Sequence, residues 1–161
     1  MSFIINSLIR LYGLPASFYF EQAAKNSQKT QGDLLQKIVQ KNAASAFGKT
    51  HGFASIKSEQ EYRTQVPIRE FEEFRPYINH ILSGKKSVLT IDDPIRFNVT
   101  SGTTGEPKYI HVTLENQNQE LNLIGQWYYR ALCDHPNFLD HFRVAIVSPP
   151  IEGKTSQGVP F

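Results

Sequence analysis

Between two strand-like runs the chain reads Thr100-Ser101-Gly102-Thr103-Thr104-Gly105-Glu106-Pro107-Lys108, which puts four hydroxyl side chains, two glycines and one lysine into nine positions. Glycines admit positive φ and leave no side chain in the path of an approaching anion. Successive N–H groups in such a bend form a concave anion nest. Hydroxyls add donors, and Lys108 adds a mobile point charge. This is equipment for holding a polyphosphate.

The order differs from that of a Walker A loop, G-x-x-x-x-G-K-[ST]. Here the glycines are three apart, and Lys108 follows Gly105 by three, behind Pro107. It also differs from the dinucleotide fingerprint G-x-G-x-x-G. Composition alone also fits a polar hairpin loop, because Gly, Ser, Thr and Pro are ordinary turn residues. The full order T-S-G-T-T-G-x-P-K is far more specific than its composition.

That order resembles the phosphate-binding loop of the adenylate-forming superfamily, which holds acyl-CoA synthetases, the adenylation domains of peptide synthetases, and luciferases. The flanks narrow the resemblance. Phe47-Gly48-Lys49-Thr50-His51-Gly52-Phe53, Val66-Pro67-Ile68, Phe74-Arg75-Pro76-Tyr77-Ile78 and Ile81-Leu82-Ser83-Gly84 are similar to the start of the auxin-responsive acyl acid amido synthetase family. The resemblance covers most of positions 30–161, sharp at the loop and diffuse elsewhere.

The resemblance implies a chemistry. Thr100, Ser101, Gly102, Thr103, Thr104 and Gly105 would hold the phosphates of ATP, with Mg²⁺ sharing the charge. Lys108 would add positive charge to the leaving pyrophosphate or help hold the loop shut. A small-molecule carboxylic acid would be activated as an acyl-adenylate, then passed to an amine such as an amino acid to give an amide and AMP. Acyl-CoA synthetases pass the acyl group to a thiol instead; the loop does not separate these outcomes, and the flanks favour the amide. Two readings from other classes stand beside this one: a non-catalytic nucleotide- or phosphate-binding module, and a plain structural domain with a polar loop. The family also carries a motif ending in Glu and a Tyr-Arg-x-Gly-Asp run, and neither occurs in these 161 residues. The expectation is therefore an N-terminal portion of a larger adenylate-forming domain. It would be inactive alone, with an unpaired sheet edge that invites self-association.

Several elements must position the loop. Residues 2–12 read as a short helix stopped by Gly13 and Pro15, and residues 16–27 as a second. Thr30 is placed to cap a third, with Leu34, Leu35, Ile38 and Val39 as its apolar stripe and Gly48 as its stop. Ser58-x-x-Glu61 is a capping-box pattern opening a helix over about 59–65. Phe71, Phe74, Tyr77, Ile78 and Ile81 recur at helical steps up to Gly84, with Pro76 predicting two short helices or one kinked helix. Glu70, Glu72 and Glu73 are expected on the solvated face. Val88–Ile91, Ile95–Val99 and Tyr109–Val112 read as strands. Thr113 then opens a long helix over about 114–132, with Leu114, Leu121, Ile124, Tyr128 and Leu132 on one face. Phe142–Val147 is a further strand, and 152–158 a loop. The fold class that follows is α/β: a mainly helical segment 1–86, then over 87–161 the start of a mixed sheet flanked by helices.

Composition bounds the rest. A chain of 161 residues, 40% apolar and 12% aromatic, has the size of one domain and the means to bury a core. Seventeen basic and fifteen acidic residues leave a net charge of +2, too little to point to nucleic acid. No apolar run reaches the length of a membrane span. Cys133 is the one cysteine, so no internal disulfide forms and a reducing, cytoplasmic setting fits. His51, His80, His111, His135 and His141 form no i, i+4 pair. His111 follows the loop closely enough to approach a bound phosphate, although a plain strand residue is the simpler reading. Ser101 lies in no G-x-S-x-G elbow, so hydrolase chemistry has no support.

Overall fold

A computed structural model describes residues 2–100, 106–137, 140 and 153–161. Six α-helices and one antiparallel strand pair account for most of these. They are α1 (Ser2–Lys25), α2 (Ser27–Lys41), α3 (Ala46–Thr50), α4 (Glu59–Gln65), α5 (Phe71–Leu82), β1 (Pro94–Thr100), β2 (Lys108–Thr113) and α6 (Leu114–Asp134), with a 3₁₀ turn over Phe53–Ser55. The chain divides into two compact units, one of residues 1–30 with 115–149 and one of residues 31–114 with 150–161.

The first unit pairs α1 with α6. The two helices expected on either side of Gly13 and Pro15 are one, and α1 runs through Pro15 without a break. Gly13 is not a stop. A Cβ there would lie 2.4 Å from Cβ of Tyr129, so the missing side chain is what lets α6 approach. Arg10 donates to the carbonyl of Leu132 at 3.0 Å, and Arg130 pairs with Glu21 at 2.8 Å. Of the face expected on α6, Leu132 is fully buried, but Leu114, Leu121 and Ile124 are exposed; Tyr129 takes the buried place instead.

The second unit carries the core. Val39, Phe47, Phe53 and Ile56 form one cluster, and Ile78, Ile81, Val88 and Phe97 a second. Helix α2 starts at Ser27 rather than at Thr30, whose hydroxyl donates to the carbonyl of Ala23 at 3.1 Å. Of its expected stripe Val39 is buried and Leu35 packs on the core, whereas Leu34 and Ile38 are exposed. Gly48 does not end this helix. It is buried inside α3, where a Cβ would lie 2.1 Å from the carbonyl oxygen of Asn42.

The expected strand at 88–91 is absent, for a hydrogen-bonding reason. Helix α3 needs partners for its first N–H groups. Ser45 caps Gly48 N–H through its side chain. The carbonyls of Ser87 and Val88 accept from Ala46 and Phe47 at 2.8 and 2.9 Å, and Ile91 N–H goes to the side chain of Asn42. Backbone groups spent this way cannot build a ladder.

Ser58 caps α4 as the pattern predicts, accepting from Glu61 N–H at 3.2 Å; the Glu61 carboxylate returns to Lys57 N–H at 2.7 Å. Helix α5 is single, with Pro76 inside it. It opens with Glu70 N–H donating to the Glu73 carboxylate at 3.0 Å, so Glu73 is a capping residue rather than a mere solvated acid.

β1 and β2 pair antiparallel from Thr100↔Lys108 to Pro94↔Thr113, with an irregularity between Pro94 and Arg96. The segment expected as a loop at 152–158 folds back on itself in part: Lys154 bridges Pro160, and Gly153 exchanges hydrogen bonds with Phe161. Pro160 accepts from Phe97 N–H at 2.9 Å, so this turn lies along the outer side of β1. The expected strand at 142–147 lies outside the described residues.

Candidate phosphate-binding site

The hairpin formed by β1 and β2 positions the loop. Ile95, Phe97 and Val99 alternate along β1 on the face shared with Tyr109 and His111, where Phe97 is buried in the core; Val112, opposite Arg96, is buried on the other face. Thr100 and Lys108 are cross-strand partners, so the two ends of the hydroxyl- and glycine-rich run are paired across the hairpin. Ser101, Gly102, Thr103, Thr104 and Gly105, which the sequence marks for phosphate, lie outside the described residues.

The returning side of the loop is tied to α5. The Arg75 guanidinium grips Glu72 with two prongs, Nε to Oε2 at 2.6 Å and Nη2 to Oε1 at 2.8 Å. Its third arm, Nη1, lies 3.2 Å from Glu106 Oε2. The Lys108 ammonium sits 5.3 Å from the centre of the Phe71 ring, and the Arg75 guanidinium 5.6 Å from the same ring. The hydrogen bond from Arg75 is the main cause holding the Glu72 carboxyl below its usual range; desolvation opposes it, and charge attraction to Arg75 and then Lys108 adds to the lowering. The same hydrogen bond raises Arg75, so it stays charged at any working pH.

Glu72 lies on the exposed face as expected, and the structure adds its pairing with Arg75. Arg75 and Phe71 were missed as site residues, although Glu72–Arg75 at i, i+3 and Phe71–Arg75 at i, i+4 were visible as helix neighbours.

His111 does not join this group. Strand alternation puts it on the face of Tyr109 and away from that of Lys108. Burial depresses its pKa below 6.5, so it is neutral at pH 7. His135 ends α6 and donates its N–H to the carbonyl of Ala131; His141 is outside the described residues. Cys133 is exposed. Among the described residues no three His, Cys, Asp or Glu side chains gather as a metal site, and no helix is long and apolar enough to cross a membrane.

The described residues give a mixed α/β fold in which Glu106 and Lys108, on the returning side of the β1–β2 pair, lie against the acid- and arginine-bearing helix α5. Residues 18–161 match the GH3 family N-terminal domain, and the chain belongs to that family. Among its relatives is the indole-3-acetic acid-amido synthetase GH3.6 of Arabidopsis thaliana, 27% identical over 107 residues, which are 66% of this chain and 18% of the relative. The jasmonoyl-L-amino acid synthetase GH3.5 of Oryza sativa subsp. japonica is 30% identical over 93 residues, 56% of this chain and 16% of the relative. The solved structure of AtGH3.15 acyl acid amido synthetase in complex with 2,4-DB superposes with a TM-score of 0.75 at 20% identity, covering 90% of this chain and 26% of that one. That likeness establishes the fold: helices first, then a strand pair flanked by helices. The chain spans less than a fifth of the length of these two sequence relatives.

Proposed function

We propose that this chain supplies the ATP-phosphate grip of an acyl acid amido synthetase. The observation that carries the reading is the run Thr100–Lys108, whose two end residues pair across an antiparallel hairpin in a chain of the GH3 family. Its relatives, synthetases named for joining indole-3-acetic acid or jasmonate to amino acids, supply the substrate class.

In the proposed reaction a carboxylate oxygen of the acid attacks the α-phosphorus of ATP. The bond from that phosphorus to the β-bridging oxygen breaks, and pyrophosphate leaves with the electron pair. An amino acid nitrogen then attacks the acyl carbon, loses a proton to solvent, and AMP departs. The first step rests on positioning and charge neutralisation. Backbone N–H groups and hydroxyls of Thr100, Ser101, Gly102, Thr103, Thr104 and Gly105 hold phosphate oxygens, and Lys108 offsets charge on the leaving group. Mg²⁺, if bound with the ATP, would share the phosphate charge; Glu72 and Glu106, the carboxylates beside Lys108, are already engaged by Arg75. A cytoplasmic setting is part of this reading.

Calorimetric titration with MgATP tests the grip. Lys108→Ala is expected to weaken binding about tenfold, the loss of one charge-assisted contact. Unchanged affinity in that variant removes Lys108 from the site. In the longest polypeptide carrying this segment, acid-dependent exchange of labelled pyrophosphate into ATP is expected, and its absence overturns adenylation.

A further inference from the structure

The geometry points to Arg75 as a positioning residue that keeps two carboxylates, Glu72 and Glu106, away from Lys108 and so leaves that lysine free for a polyphosphate. The inference rests on the phosphate reading of the hairpin.

Glu106 and Lys108 flank Pro107 on the returning side of the loop. Proline fixes φ at one value, so the two side chains leave a stiff link in set directions. Each meets the first turns of α5: Glu106 at Arg75, Lys108 over Phe71. The four charges of the group, Arg75 and Lys108 against Glu72 and Glu106, sum to zero. Their pairing is uneven. Arg75 takes both carboxylates, and among the described residues Lys108 makes no ion pair.

The guanidinium suits this task. Its planar fork satisfies Glu72 with two parallel bonds and still presents a third arm to Glu106, which a lysine at 75 could not do. Arg75 is also the better-buried member, with 24% of its side chain exposed against 64% for Glu72 and 78% for Glu106. It is held by the helix before Glu106 arrives, so little further ordering is needed. Among the described residues Lys108 rests on the Phe71 ring face and adds a lesser charge attraction to Glu72, contacts worth little at an exposed site and readily exchanged for phosphate oxygens. Without Arg75, two unpaired carboxylates would compete for that ammonium from beside the loop. They would also repel the incoming anion.

The test is calorimetric titration of the whole chain with inorganic tripolyphosphate. Arg75→Gln is expected to weaken binding about fivefold, the scale of one partly exposed pairing plus one cation–π contact. The same change in a Lys108→Ala background is expected to add less than about twofold, because the effect passes through Lys108. Removing the competitors as well, in the triple variant Arg75→Gln, Glu72→Gln, Glu106→Gln, is expected to restore affinity to within about twofold of wild type. A purely structural Arg75 would show no such rescue. Arg75→Lys, which keeps charge and bulk, serves if Arg75→Gln does not fold, with an expected loss of about twofold.

Wild-type affinity in Arg75→Gln overturns the inference while leaving the phosphate reading intact. So does a triple variant as weak as the single one. Failure of the wild-type chain to bind tripolyphosphate overturns the phosphate reading, and the role of Arg75 falls with it.

Discussion

The two units of this chain are made of similar residues put to different use. In the unit of residues 31–114 and 150–161, aromatic and β-branched side chains close on one another. Phe47 packs on Phe53, Phe74 and Tyr77 with ring centres 5.5–5.8 Å apart, and Val39 and Ile56 are almost wholly buried. In the unit of α1 and α6, Leu11, Tyr12, Leu14, Phe18, Tyr19, Phe20, Leu123 and Trp127 stand exposed, and burial centres on Gly13, Ser17, Tyr129 and Leu132. Apolar content therefore does not measure a core. Helix propensity and spacing make both sets of helices, while burial depends on how many elements converge.

The sharpest way to break this comparison is to truncate an aromatic in each unit. Phe47→Ala is expected to cost about 3–5 kcal/mol in urea unfolding, the usual penalty for emptying a packed aromatic site. Phe20→Ala, at an exposed position, is expected to stay within about 0.5 kcal/mol. Equal losses in the two variants would mean that α1 is as well packed as the 31–114 core.

Two glycines sharpen the contrast within the α1–α6 unit. Gly13→Ala puts a methyl group against Tyr129, and overpacking of this kind costs about 1–3 kcal/mol. Gly125→Ala, in the middle of α6 with nothing within 4 Å, is expected to stabilise by about 0.5–1 kcal/mol through helix propensity. Chemical denaturation followed by the ellipticity at 222 nm checks both signs.

The smallest expected effect is a pH dependence in the 31–114 unit. Burial lowers the pKa of His111, so the unfolded chain takes up this proton more readily than the folded one. Stability then rises with pH from below the depressed folded value up to the ordinary value of 6.5, and is flat above it as far as His111 is concerned. His111→Asn is expected to remove part of the slope of the urea midpoint between about pH 5 and pH 7. An unchanged slope would show that His111 does not titrate differently on folding.

Much of the scaffold around the site was readable from residues. The two strands β1 and β2 were legible as short apolar and β-branched runs, and α4 was legible from its capping pattern. α5 followed from its apolar steps, although Pro76 suggested a break that packing and the Glu70–Glu73 cap override. The misreadings share a cause. Gly13 and Gly48 look like helix stops in sequence, yet each is a place where another part of the chain comes too close for a Cβ. Val88–Ile91 has the composition of a strand, but its flanking carbonyls complete the end of α3.

By itself the sequence determined the chemistry on offer: hydroxyls, glycines and a lysine in one order, bracketed by two strand-like runs. Those are local properties, set by covalent geometry and nearest neighbours. Only the tertiary structure decided that Arg75 stands between Glu72 and Glu106, that Lys108 rests on Phe71, and that a glycine marks a crossing rather than an end. Contacts between residues thirty positions apart depend on which surfaces meet, and no local pattern encodes that.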